Sequence, residues 1–341
     1  MPRSPMSPCR GARHANPFSV RIEMTIRNVL LIGGSGFVGS CIAHQLCARG
    51  LSVVVPTRRR ERARHLLLLP TAEVVEADVH DPATLRQLCA GRDAVVSLVG
   101  ILQSRRGSPY GADFARAHVE LPQKIVAACR ASGVPRIVHI SALKAGTDAP
   151  SMYLRSKADG EAAIRAGAPD IAATILQPSI VFGQGDSFLN LFAGLLRMAP
   201  VLPLASADAR FQPVYVEDVA RVVADALDAE SSFGQTWELC GPTVYTLRQL
   251  VDYVGVLSGC RRPVVALSPG LSYLQARLME MVPGGPMSRD NVDSMRIDNV
   301  CSGCALPFGL QPTALEAVAP NYIGHKVPRW SYNTLRAKAH R

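Results

Sequence analysis

Tyr153 and Lys157 stand four residues apart in Tyr153-Leu154-Arg155-Ser156-Lys157. On a helix that spacing puts a phenol and an ammonium on one face, where both can reach one ligand. A free phenol titrates near ~10, too high to exchange a proton readily at neutral pH. A neighbouring ammonium favours the phenolate and makes the tyrosine a usable general acid or base. Ser141, in His139-Ile140-Ser141-Ala142, could hold a substrate oxygen by hydrogen bonding. Ser141, Tyr153 and Lys157 are therefore the candidate catalytic residues. A tyrosine and a lysine at this spacing are also common on an ordinary helix surface, so their place in the fold decides their meaning.

A second constellation concerns phosphate. Gly33-Gly34-Ser35-Gly36-Phe37-Val38-Gly39 follows an apolar run and opens a helical one. Gly33, Gly36 and Gly39 have the spacing G-x-x-G-x-x-G, a variant of the dinucleotide fingerprint. Gly33 permits a tight turn, Gly36 lets backbone N–H groups approach a pyrophosphate, and Gly39 lets the helix lie close to the strand. Ser35, Phe37 and Val38 lie inside this candidate cofactor-binding turn. About 20 residues on, where NAD sites place a carboxylate, stand Thr57-Arg58-Arg59. No Asp or Glu occurs between Glu23 and Glu61. A guanidinium clamps a ribose 2′-phosphate where a carboxylate would repel it, so NADP(H) is expected over NAD(H). A solvated arginine run at a helix start is the plain alternative. Asp78-Val79 would flank the adenine, with Asp78 accepting from its exocyclic amine.

The elements that must position these residues alternate. Val29–Ile32, Leu51–Val55, Val74–Ala77, Ala94–Val99, Arg136–Ile140 and Ile171–Leu176 are short, mostly β-branched runs, which read as buried parallel strands. Helical spacing fills the gaps at Val38–Arg49, Arg59–Leu69, Pro82–Ala90, Phe114–Ala131 and Ser151–Arg165. The expected fold is α/β, a Rossmann-type doubly wound parallel sheet with a smaller C-terminal α+β lobe. Residues 1–26 read as a flexible extension, or as sequence before a start at Met24. Residues 27–177 read as the dinucleotide-binding core, 178–330 as a substrate or partner lobe interleaved with it, and 331–341 as a basic tail. Beyond Pro178, Asp186–Met198, Val216–Ala229, Thr246–Leu257 and Ser272–Met281 look helical, with short strands near Gln212–Tyr215 and Gln235–Leu239. This part looks too irregular to continue the sheet.

Composition narrows the class. The 341 residues are 48% hydrophobic and 19% charged, enough to bury a sizeable core. No apolar run reaches the about 18 residues that a membrane-spanning helix needs. The net charge is +10, but lysine occurs only at 124, 144, 157, 326 and 338, and no basic stripe interleaves with aromatics. This argues against a nucleic-acid partner. Nine scattered cysteines suit a reduced, intracellular protein better than a secreted one.

In this order the motifs resemble an extended-type member of the short-chain dehydrogenase/reductase superfamily, over roughly Asn28 to Trp330. Gln177-Pro178-Ser179-Ile180-Val181-Phe182-Gly183 lies where that superfamily sets a proline against the nicotinamide, which adds Pro178 to the cofactor set. Val214-Tyr215-Val216-Glu217-Asp218-Val219-Ala220 and Leu239-Cys240-Gly241-Pro242-Thr243 resemble its C-terminal lobe. More narrowly, the chain resembles the NAD(P)H-binding accessory subunit family of respiratory complex I and its bacterial relatives. The carriers are Val99-Gly100-Ile101-Leu102, Ala117-His118-Val119, Tyr153-Leu154-Arg155-Ser156-Lys157-Ala158, Asp186-Ser187-Phe188-Leu189-Asn190, Ser288-Arg289-Asp290-Asn291 and the run from Pro312 to Pro320. Val99 and Gly100 join the cofactor set on this ground.

The resemblance implies a tightly held nucleotide, often NADPH. It also implies a respiratory-complex or quinone-biosynthesis partner, a cytoplasmic location or one peripheral to the inner membrane, and at most peripheral membrane contact. The alternative is an active NADP-dependent oxidoreductase, epimerase or dehydratase using Tyr153 and Lys157. One departure bears on this. His118 stands where catalytic members commonly carry an asparagine that supports the lysine's proton relay.

Three features have plainer readings. Cys301-Ser302-Gly303-Cys304 lacks a second ligand pair, so incidental thiols are expected and no metal. Ser272–Met281 carries Leu274, Leu278 and Met281 on one helical face, which a small lobe would bury, although it could also meet a partner or a bilayer. Gln103–Ser108 is a polar loop that could be a substrate lid or a simple crossing.

Overall fold

The computed structural model describes residues 25–324 except 283, 284, 286 and 304. The expected extension up to Met24, the basic tail, Cys304 and Trp330 therefore lie outside the described residues. Six strands follow the expected order: β1 Asn28–Ile32, β2 Ser52–Thr57, β3 Ala72–Glu76, β4 Ala94–Ser97, β5 Arg136–Ile140 and β6 Ala172–Pro178. A seventh, β7 Thr236–Leu239, pairs parallel to β6, with Leu239 opposite Pro178. The spatial order is β7-β6-β5-β4-β1-β2-β3, all parallel. The order reverses between β1 and β4, which is where open α/β sheets leave a crevice at their carboxyl ends.

Strand residues alternate between two dry faces. Leu31, Val55 and Val96 meet Ile42 and Leu46 of α1 (Phe37–Ala48) and Val219 and Val223 of a later helix, Val216–Asp228. Leu30, Ile32, Val95 and Ile137 turn the other way. They meet Leu85 of α2 (Pro82–Cys89) and Leu121 and Ile125 of α3 (Leu121–Ser132). Burial on both faces explains why these strands read as continuous apolar runs. α4 spans Met152–Arg165, capped by Ser151, whose hydroxyl accepts from the Leu154 amide.

The C-terminal part builds a second core around α5 (Phe188–Met198) and α6 (Leu247–Leu257), with Leu189, Phe192, Leu250 and Val254 buried between them. A short parallel pair, Leu202–Leu204 with Val264–Ala266, leads into α7 (Pro269–Met279), and α8 spans Arg289–Ser294.

Four expectations are corrected. The segment Gln235–Leu239 does continue the sheet. Buried Arg136 of β5 donates to Ser232 and to the Ala226 carbonyl, and so fixes the approach to β7. The expected single helix Phe114–Ala131 begins at Ala112 and passes through a π-helical turn, Ala115–Glu120, before α3. Pro122 has no N–H to give the His118 carbonyl, which favours the wider turn. Cys240 and Cys301 form a disulfide across 61 residues, so these two are neither reduced nor incidental. Residues so far apart meet only through tertiary folding. Finally, the leucine face of Ser272–Met281 is not buried: Leu274 is 52% and Leu278 58% exposed. Ser272 and Ala276 face the lobe instead.

Candidate functional site

The glycine turn sits directly above β1. Gly33 has φ +94°, and a Cβ there would lie 3.2 Å from the amide nitrogen of Val99. The turn is thus pressed against the exit of β4, and Val99 lines the crevice beside it. A Cβ on Gly39 would strike the Gly33 carbonyl oxygen, so only glycine lets α1 start against the turn. Gly36 differs: its only near neighbour would be Gly33 O at 3.4 Å, so its flank is open. Gly36 is also the N-cap of α1, and no side chain caps the helix there. The first amides of α1, with Ser35 and Val38 half-buried beside them, leave room for an anion. Phe37 reaches under the loop of Gly183 and Gly185, which ties the turn to the second lobe.

At the end of β2, Thr57 is buried, and its hydroxyl donates to the Arg59 carbonyl oxygen at 3.1 Å. Arg58 and Arg59 are exposed, and neither has a carboxylate partner among the described residues. Asp78 follows β3, exposed, and accepts from the His80 amide at 2.9 Å. Val79 packs into the core. His80 lies below its ordinary pKa, chiefly through burial, with Arg116, Lys124 and Arg58 adding positive potential. Arg58 therefore shares one rim of the crevice with Asp78 and His80.

The opposite rim carries the tyrosine and the lysine. Lys157 is 4% exposed, and its ammonium donates to the Ile140 carbonyl at 2.9 Å. Burial lowers its pKa to about 8, opposed by Glu161. Gly100 lies against it, since a Cβ there would be 3.9 Å from Lys157 Nζ and 3.9 Å from His118 Nε2. The half-buried Tyr153 hydroxyl is pushed up to about 12 by burial. Lys157 turns its ammonium to the Ile140 carbonyl, and the direction of the Tyr153 shift follows from burial. Ser141 follows β5 with its hydroxyl buried and unpartnered, and no bond joins it to Tyr153. Pro178 closes β6, and its carbonyl accepts from the Leu143 amide.

His118 completes this rim from the π-helical turn. Its Nε2 accepts from the Ile101 amide at 3.0 Å, which leaves the proton on Nδ1. That Nδ1–H faces Ser156 Oγ at 2.8 Å, and Ser156 in turn donates to the Tyr153 carbonyl oxygen. The ring stacks on Phe114 and meets Tyr153 edge-on. Burial, with Lys157 nearby, lowers its pKa to about 3. Gly160 makes the approach possible, because a side chain there would strike the His118 carbonyl. His139, on β5, is fully enclosed and held far below its ordinary pKa by burial and Lys157. Neither of its ring nitrogens has a partner among the described residues.

Asp290 reaches in from the second lobe. Its carboxylate accepts from the Met152 amide at 2.6 Å and the Tyr153 amide at 3.0 Å, holding the N-terminus of α4. Burial raises its pKa, and these two bonds oppose the rise. A cavity of about 420 Å³ opens there, lined by Arg106, Arg155, Met152, Asp290 and Asp293 among others. The polar loop after β4 crosses it. Gln103 donates to the Gly285 carbonyl, Arg106 to the Tyr273 hydroxyl, and the Tyr110 hydroxyl to Asp159. His118 stands out in the sequence as a departure from the superfamily's asparagine, whereas nothing in the spacing of Asp290 or His139 marks where their side chains point.

The family model described as "NAD dependent epimerase/dehydratase family" matches residues 29–240. The chain belongs to that family. It is similar to NADH dehydrogenase [ubiquinone] 1 alpha subcomplex subunit 9, mitochondrial, of Rattus norvegicus, at 32% identity over 88% of this chain and 81% of the relative. It is also similar to the ceramide reductase of Caulobacter vibrioides, at 32% identity over 56% of this chain and 58% of that protein. Among solved structures, a dTDP-glucose 4,6-dehydratase from Streptomyces venezuelae with NAD bound shares the fold at TM-score 0.68 and 21% identity, over 91% of this chain and 98% of that one. The resemblance to short-chain dehydrogenases and to the complex I accessory subunit thus holds at the level of family. No helix among the described residues is long and apolar enough to cross a membrane.

Proposed function

We propose that this protein holds a nicotinamide dinucleotide, NADP(H) in preference to NAD(H), as a tightly bound ligand. In this reading it serves respiratory complex I or quinone metabolism, with no more than peripheral contact with the membrane. The glycine turn and the open first turn of α1 would take the pyrophosphate, with Ser35, Phe37 and Val38 around it. Thr57, Arg58 and Arg59 would hold the 2′-phosphate, and Asp78 and Val79 would flank the adenine. Val99, Gly100 and Pro178 would border the nicotinamide, with Tyr153 and Lys157 on its ribose. A bound dinucleotide supplies hydride chemistry. The similarity to the complex I subunit supports the partner.

The observation that carries a held ligand over a turned-over one is His118. Both ring nitrogens are engaged inside the protein, and the ring stays neutral across the physiological range. It stands where catalytic members of the superfamily commonly relay protons through an asparagine, and it has no free nitrogen with which to do so. A second reading, turnover with Tyr153 as acid/base, is favoured by the buried, unpartnered hydroxyl of Ser141, which suits a substrate oxygen. The test is to purify the protein, identify retained nucleotide, and assay NADPH oxidation with quinones and carbonyl compounds. Retained NADPH without turnover, and a cellular phenotype that survives Tyr153→Phe, supports the held ligand. A phenotype lost in Tyr153→Phe with nucleotide still bound overturns it.

A further inference from the structure

α7 is amphipathic the wrong way round for a helix of a soluble lobe. The residues it turns inward are small: Ser272 and Ala276 are buried, with Ala276 packed beside Ala205 and Val292. Its large residues face out. Leu271 is 53%, Leu274 52% and Leu278 58% exposed, and just beyond the helix Met281 is 77% and Val282 60% exposed. Spacings of three and four residues put these leucines on one stripe. The stripe has neighbours of the same kind. Gln275 donates to the Pro203 carbonyl, which brings α7 against the strand pair that carries exposed Val265. Met198, at the end of α5, is 86% exposed, and Arg262 donates to the Leu196 carbonyl on the same helix.

The charge around this face is mostly positive. Over residues 197–201 and 261–282 the charged residues are Arg197, Arg261, Arg262, Arg277 and Glu280. The four arginines are exposed. Glu280 is already held by Arg289 at 2.7 Å. A second copy of the chain would set these arginines against one another across a two-fold interface. The sequence from 325 to 341 carries Lys326, Arg329, Arg336, Lys338 and Arg341 and no acid, so it too is repelled.

We propose that the outward leucine stripe of α7, with its arginine flank, is a docking surface for an anionic lipid bilayer. Leu271, Leu274, Leu278, Met281 and Val282 enter the headgroup boundary, and Arg197, Arg261, Arg262 and Arg277 meet lipid phosphates. This rests on the peripheral placement proposed above and gives it a surface and a lipid class.

The test uses the full chain with vesicles of phosphatidylcholine containing about one-third phosphatidylglycerol, and with phosphatidylcholine alone. Sedimentation should show at least about fivefold stronger binding to the anionic vesicles, weakened by salt. Leu274→Ser with Leu278→Ser should lower binding about tenfold or more. Arg261→Glu with Arg262→Glu should remove the preference for anionic lipid. All four side chains are exposed, and retained nucleotide or an unchanged melting curve confirms that each variant folds. Absence of vesicle binding overturns the proposal, as does undiminished binding by the leucine variant, which would assign the attraction to the basic ends. Concentration-dependent dimers lost in that variant would put a second copy on the face and overturn it too. Membrane association in cells that survives the leucine change removes this surface but leaves the peripheral placement standing.

Discussion

At one rim of the crevice, Arg58 and Arg59 project without a carboxylate partner among the described residues, and Gly36 leaves an open flank on an uncapped helix. At the other rim, Lys157 is bound to a strand carbonyl, His118 is engaged at both nitrogens, and the first amides of α4 are taken by Asp290. The first rim has hydrogen-bonding and charge capacity to spare, and a charged ligand meets little competition there. The second has engaged most of its polar groups internally, and among the described residues the Tyr153 and Ser141 hydroxyls and the His139 ring remain unpartnered. In the proposed reading the arginine rim supplies charge for the ligand, and the tyrosine rim borders its nicotinamide end.

The contrast breaks most visibly under acid. His118 is neutral in the fold, with a pKa of about 3 against an ordinary 6.5. Between those values the unfolded chain binds more protons than the folded one. The stability contributed is fully present above about pH 6.5 and drains as pH falls towards 3, by several kcal/mol in total, and His139 acts with the same sign. Urea unfolding of wild type and His118→Asn at a series of pH values reads this. The variant should lose a large part of the slope, and an unchanged slope would mean that His118 is not held neutral.

Gly39→Ala comes next. Its Cβ would press on the Gly33 carbonyl, so about 1–3 kcal/mol of stability should go, together with retained nucleotide. Thermal unfolding and nucleotide analysis of the purified variant measure both. Arg58→Asp should shift preference from NADP towards NAD by roughly tenfold to a hundredfold, the worth of one charge-assisted contact. Titration calorimetry with both nucleotides would remove Arg58 from the site if NADP affinity held. The smallest effect belongs to Tyr153→Phe, which removes a single neutral hydrogen-bonding group, one without a partner among the described residues. Nucleotide affinity should change by less than about threefold. A larger loss, read in the same titration, would mean that Tyr153 carries more of the affinity than one neutral contact to the ribose.

Much of the sheet could be read directly. The runs from Val29, Ala94 and Arg136 are apolar throughout because both faces of a parallel sheet are covered, and a covered strand leaves that trace in sequence. The glycine turn was legible for a similar reason: backbone crowding at Gly33 and Gly39 restricts residue type locally. β7 was misjudged because its membership depends on Arg136 and Ser232, which are 96 positions apart. The π-helical turn was missed although Pro122 stands in the middle of the expected helix Phe114–Ala131, because apolar spacing continues through the proline and does not register the backbone bond it removes. The leucines of α7 were placed on the right face and given the wrong surroundings. Periodicity states which side chains share a side of a helix and not what that side meets.

The succession of the first six strands, the glycine-rich turn, the missing carboxylate after β2 and the tyrosine–lysine pair were all determined by sequence, because each is a local pattern imposed by backbone sterics or by one element's own period. Tertiary structure alone decided that burial pushes the Tyr153 hydroxyl further up, that His118 is neutral and engaged, that Asp290 grips α4 from the other lobe, and that α7 faces outward. Those outcomes depend on desolvation and on contacts between residues distant along the chain, and both come into being only when the elements pack.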